Sequence, residues 1–369
     1  MNFMSSEDQI AYRDSVATML AAEVTAESIR ARWDSPKGID EKLIEQLNEL
    51  GLNTMLVPES CGGLGLSEQD FILLAQECGR AALPEPLVDN VLVANAMLAD
   101  VACSDLVSAK QCEDLLSEVA AGKVMLACGH WINPFINMAD IHQWLLLSQG
   151  DEVHLVESSA VELLPQRSAD PSRRIFKVNW QPKAETRIAN GEAGAGLWRR
   201  ALNRGALGVA AQLIGLSESI LHRAVGFTAD REQFGRPVGS NQAVKHLLAD
   251  CAVSLEFAKP VMARAAYAVG SNSSDADCAV SHAKVAASRA AQLCARHGMQ
   301  VHGAMGYTWE CDLHIWMKRC WAIDKTWGDA GFHKNRIHER LLDPSTLMGA
   351  GHTFTSATSK TYNSQEGEA

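Results

Sequence analysis

Two stretches of this sequence hold the residue types that bind phosphates or move protons. The first, DREQFGRPVGSNQAVKHLLAD at 230–250, sets Arg231, Phe234 and Gln242 around the chain breakers Gly235, Pro237 and Gly239. A guanidinium offers a two-pronged donor to a diphosphate. An amide at a helix start adds donors to the same anion or reads a nucleotide edge. The phenyl ring supplies a stacking surface between them. This spacing fits a nucleotide or diphosphate site, and it equally fits two helices joined by a turn with a solvated arginine and a capping glutamine. The second stretch runs from Gln300 to Gly331. Its glycine-broken loop, Gly303 to Gly306, leads into an aromatic run and then a cationic segment at Lys318 and Arg319. Possible proton carriers are Glu256, Glu310, Asp312, Asp329, His302 and His314. Each acid reads first as a surface or ion-pairing residue, and each histidine as a structural one.

These residues need helices to position them. Leu43, Ile44, Leu47 and Leu50 share a helical face that Gly51 is placed to stop, and Ser67 is placed to cap SEQDFILLAQECG. ALPEPL breaks that helix, VDNVLVANAMLAD resumes the period, and DLVSAKQCEDLLSEVAAG ends at Gly122. From 123 the pattern becomes short apolar or alternating runs: KVMLACGHW, QWLLLSQ, EVHLVES and RIFKVNW, with QGDE as a hairpin turn. A unit of four to six strands is expected. GEAGAG at 191–196 reads as a hinge into a second helical unit. There Val209, Leu213, Leu216 and Ile220 mark one inner face, and Val244, Leu247, Leu248, Cys251, Ala252 and Leu255 another. The expected organisation is helical at 1–122, β at 123–190, helical at 191–348 and a disordered Ser/Thr/Gly/Glu-rich tail at 349–369.

Composition narrows the function classes. The 369 residues exceed one ordinary core, and a formal charge of −11 disfavours a nucleic-acid binder. No pair among the ten cysteines has CxxC spacing, so they read as buried hydrophobes in a reducing compartment. MNFMSSEDQIAYRD has no apolar signal core. No apolar run reaches the roughly 20 residues that cross a bilayer. A cytoplasmic protein with no membrane partner is expected. A GxSxG elbow and a glycine-rich NAD fingerprint are both absent from the sequence.

RxxFGxPxxxxQxxKHxLAD and QxxGxxGYTxE, here Gln300 to Glu310, together resemble the flavin-dependent acyl-CoA dehydrogenases. PESCGGLGL and CGRAALPEP resemble that family's first domain, so the likeness covers most of residues 5–345. It implies a mainly α fold with a small, shortened β domain between an N-terminal helical domain and a C-terminal four-helix bundle. It implies FAD bound across a subunit interface, with Arg231, Phe234 and Gln242 reaching a neighbour's FAD and Gln300 and Gly303 lining the adenosine and diphosphate path. Ala304 stands where the family usually has a second glycine, which is tolerable at negative φ.

The family's reaction removes two hydrogens from an acyl-CoA thioester, and its base is a carboxylate in a dry site. Counting from Gly303 by the family's offset reaches Trp327 instead of glutamate. The alternative base position of some relatives falls at or next to Gly205, and no carboxylate occurs between Gly194 and Glu218. The segment GHWINPFINMAD keeps only a fragment of the loop and strand that face the flavin ring, whereas DPSRRIFKVNW matches a strand region of the family. The likeness therefore implies a non-catalytic partner of a paralogous catalytic subunit, in a dimer or tetramer, acting on a steroid-type or other bulky acyl-CoA. An electron-transfer flavoprotein would be the acceptor. TWExDxHxxxKR, Thr308 to Arg319, resembles the bacterial heteromeric branch. Two alternatives stand beside this: a self-associating active enzyme with a relocated base, and a non-enzymatic acyl-CoA-binding or assembly protein.

Overall fold

Capping residues in the sequence set where the N-terminal helices begin. In the computed structural model, which describes residues 5–344 and 346, α1 (Glu7–Glu23) opens on a reciprocal capping box between Ser6 and Gln9. α2 (Ala26–Trp33) opens on one between Thr25 and Ser28. Each box satisfies amides that a helix start leaves unpaired. α3 (Glu41–Glu49) buries Leu43 and Leu47 and stops before Gly51, whose φ is 75°. α4 (Glu68–Ala81) starts at Ser67 as expected, with Asp70 closing its box. After the prolines, α5 (Leu87–Asp89), a π-helical turn at Asn90–Asn95 and α6 (Ala96–Ala102) form one buried helical run. α7 (Ala109–Ala120) follows.

The β unit has seven strands, more than the four to six expected. They are β1 (Leu126–Gly129), β2 (Phe135–Asn137), β3 (Trp144–Gln149), β4 (Glu152–Glu157), β5 (Glu162–Gln166), β6 (Ile175–Asn179) and β7 (Arg187–Ala189). One sheet has the order β1-β3-β4-β7 and the other β2-β6-β5. β1 lies parallel to β3, and the remaining pairs are antiparallel. The extra strands β2, β5 and β7 are only three to five residues long, so no apolar run marked them. The QGDE turn joins β3 to β4 through Gly150, at φ 60°.

The expected hinge is not a hinge. Asn190 is the last extended residue, and GEAGAG forms the first turns of α8 (Gly191–Asp230), which is 40 residues long. A Cβ at Gly194 would lie 1.9 Å from the Asp151 carbonyl oxygen, so that glycine serves close packing on the β3–β4 turn. A small ladder, β8 (Glu232–Gln233) with β9 (Arg236–Pro237), joins α8 to α9 (Gln242–Gly270). α10 (Ala276–His302), α11 (Leu313–Ile323) and α12 (Ala330–Leu342) complete the bundle. Val209, Leu213, Leu216 and Ile220 are buried as expected. On α9 the stripe is covered only in part: Cys251 and Leu255 are buried, while Val244, Leu247, Leu248 and Ala252 are half-buried. Val253 and Phe257 on α9 face out. The tail expected to be disordered lies outside the described residues, apart from the few before it. Among the described residues no helix is long and apolar enough to cross a membrane.

Candidate functional site

Arg231 ends α8 and Gln242 begins α9, with the β8–β9 hairpin between them. At the hairpin tip Phe234 and Gly235 both have positive φ, 55° and 75°, the pair of left-handed residues a tight hairpin requires. Arg231, Phe234 and Gln242 are all exposed. Gln300 sits in the last turn of α10, and Gly303 follows it at φ 60°. Both line a cleft of about 690 Å³ with Arg296, Tyr307, Trp321 and Lys325. Ala304 has no positive φ, so its methyl fits the backbone there. A second cleft, about 750 Å³, is lined by Phe227 and Asp230 beside Arg231, and by His302 beside Gly303. The Phe227 and His302 rings stack at 4.2 Å. The ends of α8 and α10 thus share a wall, and the two motifs are neighbours.

The two positions where a base was sought prove to be in contact with each other. Trp327 is fully buried at φ 54°. A Cβ at Gly205 would lie 2.3 Å from its indole Cδ2, so only glycine fits beneath the ring. The indole fills the space that a carboxylate at Gly205 would need, and it stands where the other position would carry one. Its Nε1 donates to Asp89 Oδ1 at 3.1 Å. The turn is held from behind: Lys284 Nζ donates to the carbonyls of Asp324 (2.7 Å) and Gly328 (3.0 Å), and His333 Nε2 to that of Trp327 at 2.9 Å. Burial pushes Lys284 down to about 8 and His333 down to about 3.

GHWINPFINMAD, the segment that the resemblance sets against the flavin ring, places His130 in the same pocket. Its ring stacks on Trp198 at 4.8 Å and on Trp327 at 6.3 Å, and burial pushes it down to about 4. Asp89, one acid inside an apolar helical run, carries no sequence motif. Burial raises its carboxyl, opposed by Arg173, the Trp327 indole and Arg319. Its position opposite Trp327 is a tertiary fact.

The other acids do not reach this pocket. Asp312 pairs with Arg30 at 2.6 Å, Glu256 pairs with Lys259 at 2.6 Å, and Asp329 caps α12 by accepting from Phe332 N at 2.9 Å. Glu310 is exposed and held low by its own backbone amide and the Thr308 hydroxyl. His302 Nδ1 donates to Gly298 O at 2.7 Å, and His314 is buried beside Trp33 and Trp309. No cluster of metal-binding side chains occurs among the described residues.

The chain thus sets an exposed Arg-Phe-Gln hairpin beside a glycine loop on a helical–β–helical frame. The chain belongs to the acyl-CoA dehydrogenase family: the model of that family's N-terminal domain matches residues 6–123, and the model of its C-terminal domain matches residues 192–342. Acyl-CoA dehydrogenase IpdE2 of Mycobacterium tuberculosis is 31% identical over 315 residues, spanning 85% of this chain and 91% of its own. The ChsE4-ChsE5 complex from the same organism aligns at TM-score 0.82 and 21% identity, covering 94% of this chain and 100% of that one. A variant of the Tcur3481-Tcur3483 steroid ACAD aligns at TM-score 0.80 and 23% identity, covering 90% of this chain and 97% of that one. These two alignments speak for the fold alone.

FAD is the cofactor of this family. The free Arg231 and Gln242 side chains and the open space beside Gly303 fit the adenosine diphosphate half of FAD. The pocket between Gly205 and His130 is filled by this chain's own aromatic rings.

Proposed function

We propose that this chain is the non-catalytic subunit of a heteromeric, FAD-dependent acyl-CoA dehydrogenase. It lends Arg231, Phe234, Gln242, Gln300 and Gly303 to FAD held with a paralogous catalytic subunit. The observation that carries the reading is the Trp327 indole lying on Gly205, which puts no carboxylate at one base position and leaves no room for one at the other. FAD, held by these residues, would supply the acceptor for the hydride that leaves the β-carbon of the acyl chain. The α-proton needs a carboxylate poised in a dry site, and in this assembly the partner subunit supplies it. The Arg231 guanidinium and the Gln242 amide orient the diphosphate, and Phe234 shields it from water. A steroid-type or similarly bulky acyl-CoA as substrate, with an electron-transfer flavoprotein as acceptor in the cytoplasm, belongs to the same reading.

The test is FAD content and dehydrogenation by the purified chain, alone and co-expressed with a paralogous acyl-CoA dehydrogenase chain that keeps the glutamate. Alone it should be colourless and inactive; paired it should carry about one FAD per two chains. A yellow, active protein without a partner would overturn the reading.

A further inference from the structure

Asn241 stands at the first boundary of α9 but does not cap it. Asparagine there normally turns its oxygen onto an amide of the first helical turn. Here no side-chain cap bond forms. Instead Oδ1 accepts from Arg236 Nη2 at 2.7 Å, and Nδ2 donates to the Val238 carbonyl at 3.0 Å. Val238 N in turn donates to the Arg231 carbonyl at 2.8 Å. These bonds close a circuit from the end of α8, through the hairpin, to the start of α9.

Phe234 shows what the circuit works against. Its φ of 55° is a left-handed backbone that L side chains rarely adopt. With a relative exposure of 102%, its ring packs on nothing in this chain that would repay the strain. Strained residues persist where their surroundings over-determine them, and such places are often sites of function. Gly239 tightens the base further, since a Cβ there would lie 2.9 Å from the Thr228 carbonyl.

We infer that Asn241 and Arg236 are positioning residues, a brace that gives up a helix cap to hold Arg231, Phe234 and Gln242 at the spacing of a dinucleotide's adenosine diphosphate half. The inference rests on the reading of this chain as an FAD-lending subunit. The brace acts before the cofactor arrives, by lowering the ordering that binding would otherwise require.

Asn241→Ser separates the brace from the fold, because serine caps a helix as well as asparagine does but is too short to span Arg236 and Val238. The chain alone should melt at the same temperature or higher. In the complex with the catalytic partner, FAD affinity read from flavin fluorescence should fall about tenfold, the scale of one charge-assisted hydrogen bond. Arg236→Ala, on an exposed residue, should do the same; Arg236→Lys should recover part of the loss, and the double variant should be no worse than either single one. Unchanged FAD affinity in both single variants, with a wild-type pair that binds FAD, would sink the brace alone. A loss of affinity that only tracks a loss of melting temperature would sink it too. A wild-type pair that takes up no FAD would sink the underlying reading, and the brace with it.

Discussion

At the scale of single residues, Trp327 does two jobs that a catalytic carboxylate could not. It fills the volume above Gly205, and its Nε1 gives Asp89 a hydrogen bond. Restoring a glutamate there is the obvious repair, and it should fail. In Trp327→Glu the new carboxylate would enter a pocket that already holds the buried Asp89, and like charges this close resist joint ionisation. The variant chain alone should gain no dehydrogenase activity and should melt well below wild type. Trp327→Ala should cost about 3–5 kcal/mol, the usual range for emptying an aromatic site. Trp327→Phe keeps most of the volume and loses only the donor to Asp89, so its cost should be about 1–3 kcal/mol. Urea melts of the three variants rank the effects. Equal stability of Trp327→Phe and wild type would mean that the Asp89 contact carries nothing, and activity in Trp327→Glu would mean that the pocket lacks only the base.

At the scale of elements, the α4–α8 crossing and the turn before α12 determine how the N-terminal helices meet the bundle. A Cβ at Gly215 would lie 1.9 Å from the Gln76 carbonyl, and one at Gly79 would lie 2.2 Å from that of Gln212. Gly215→Ala must therefore push α4 off α8, and a loss of about 3 kcal/mol or more is expected in thermal or urea unfolding. Lys284→Met removes the ammonium that holds two carbonyls of the 324–328 turn. It should cost about 2–4 kcal/mol and shift Trp327 fluorescence to the red. Near-wild-type behaviour of either variant would contradict the packing described. Local signals made much of this fold readable in advance. Ser67 and Gly51 act through bonds within a few residues, and the α8 stripe repeats over several turns. The strands β2, β5 and β7 gave no such signal, because three to five residues are too few to establish a period. GEAGAG misled because glycine there permits close packing rather than a turn. The gap at Trp327 could be counted from the loop glycine, but the Trp327–Asp89 contact spans 238 positions and no local pattern announces it.

At the scale of the whole molecule, three buried imidazoles sit where its units join. His142 Nδ1 donates to Met138 O at 2.7 Å in the β unit and its Nε2 meets the Asn90 amide in the N-terminal helices. His130 lies between the β unit and α8, and His333 secures the turn before α12. Burial pushes His142 and His130 down to about 4 and His333 down to about 3, from an ordinary value of 6.5. Their folded forms are therefore neutral while the unfolded chain protonates the same groups below 6.5. Between 6.5 and about 4 the unfolded state binds more protons, so stability falls as pH falls, by about 1.4 kcal/mol per pH unit for each imidazole. Asp89 works in the opposite sense, since its raised carboxyl favours the folded state once protonated. One group cannot offset three, so urea midpoints of the isolated chain should drop steeply between pH 7 and pH 5. His142→Gln should lower stability at pH 7 through its lost hydrogen bonds and yet flatten that pH slope by the share of the one imidazole removed. A wild-type stability that stays level from pH 7 to pH 5 would show that these rings exchange protons freely in the folded chain. The joints would then be looser than their burial implies. A steep slope left untouched by His142→Gln would place the acid sensitivity in the other buried imidazoles, because carboxylates that hydrogen bonds hold low, such as Asp70 and Asp329, stay ionised in both states across this range.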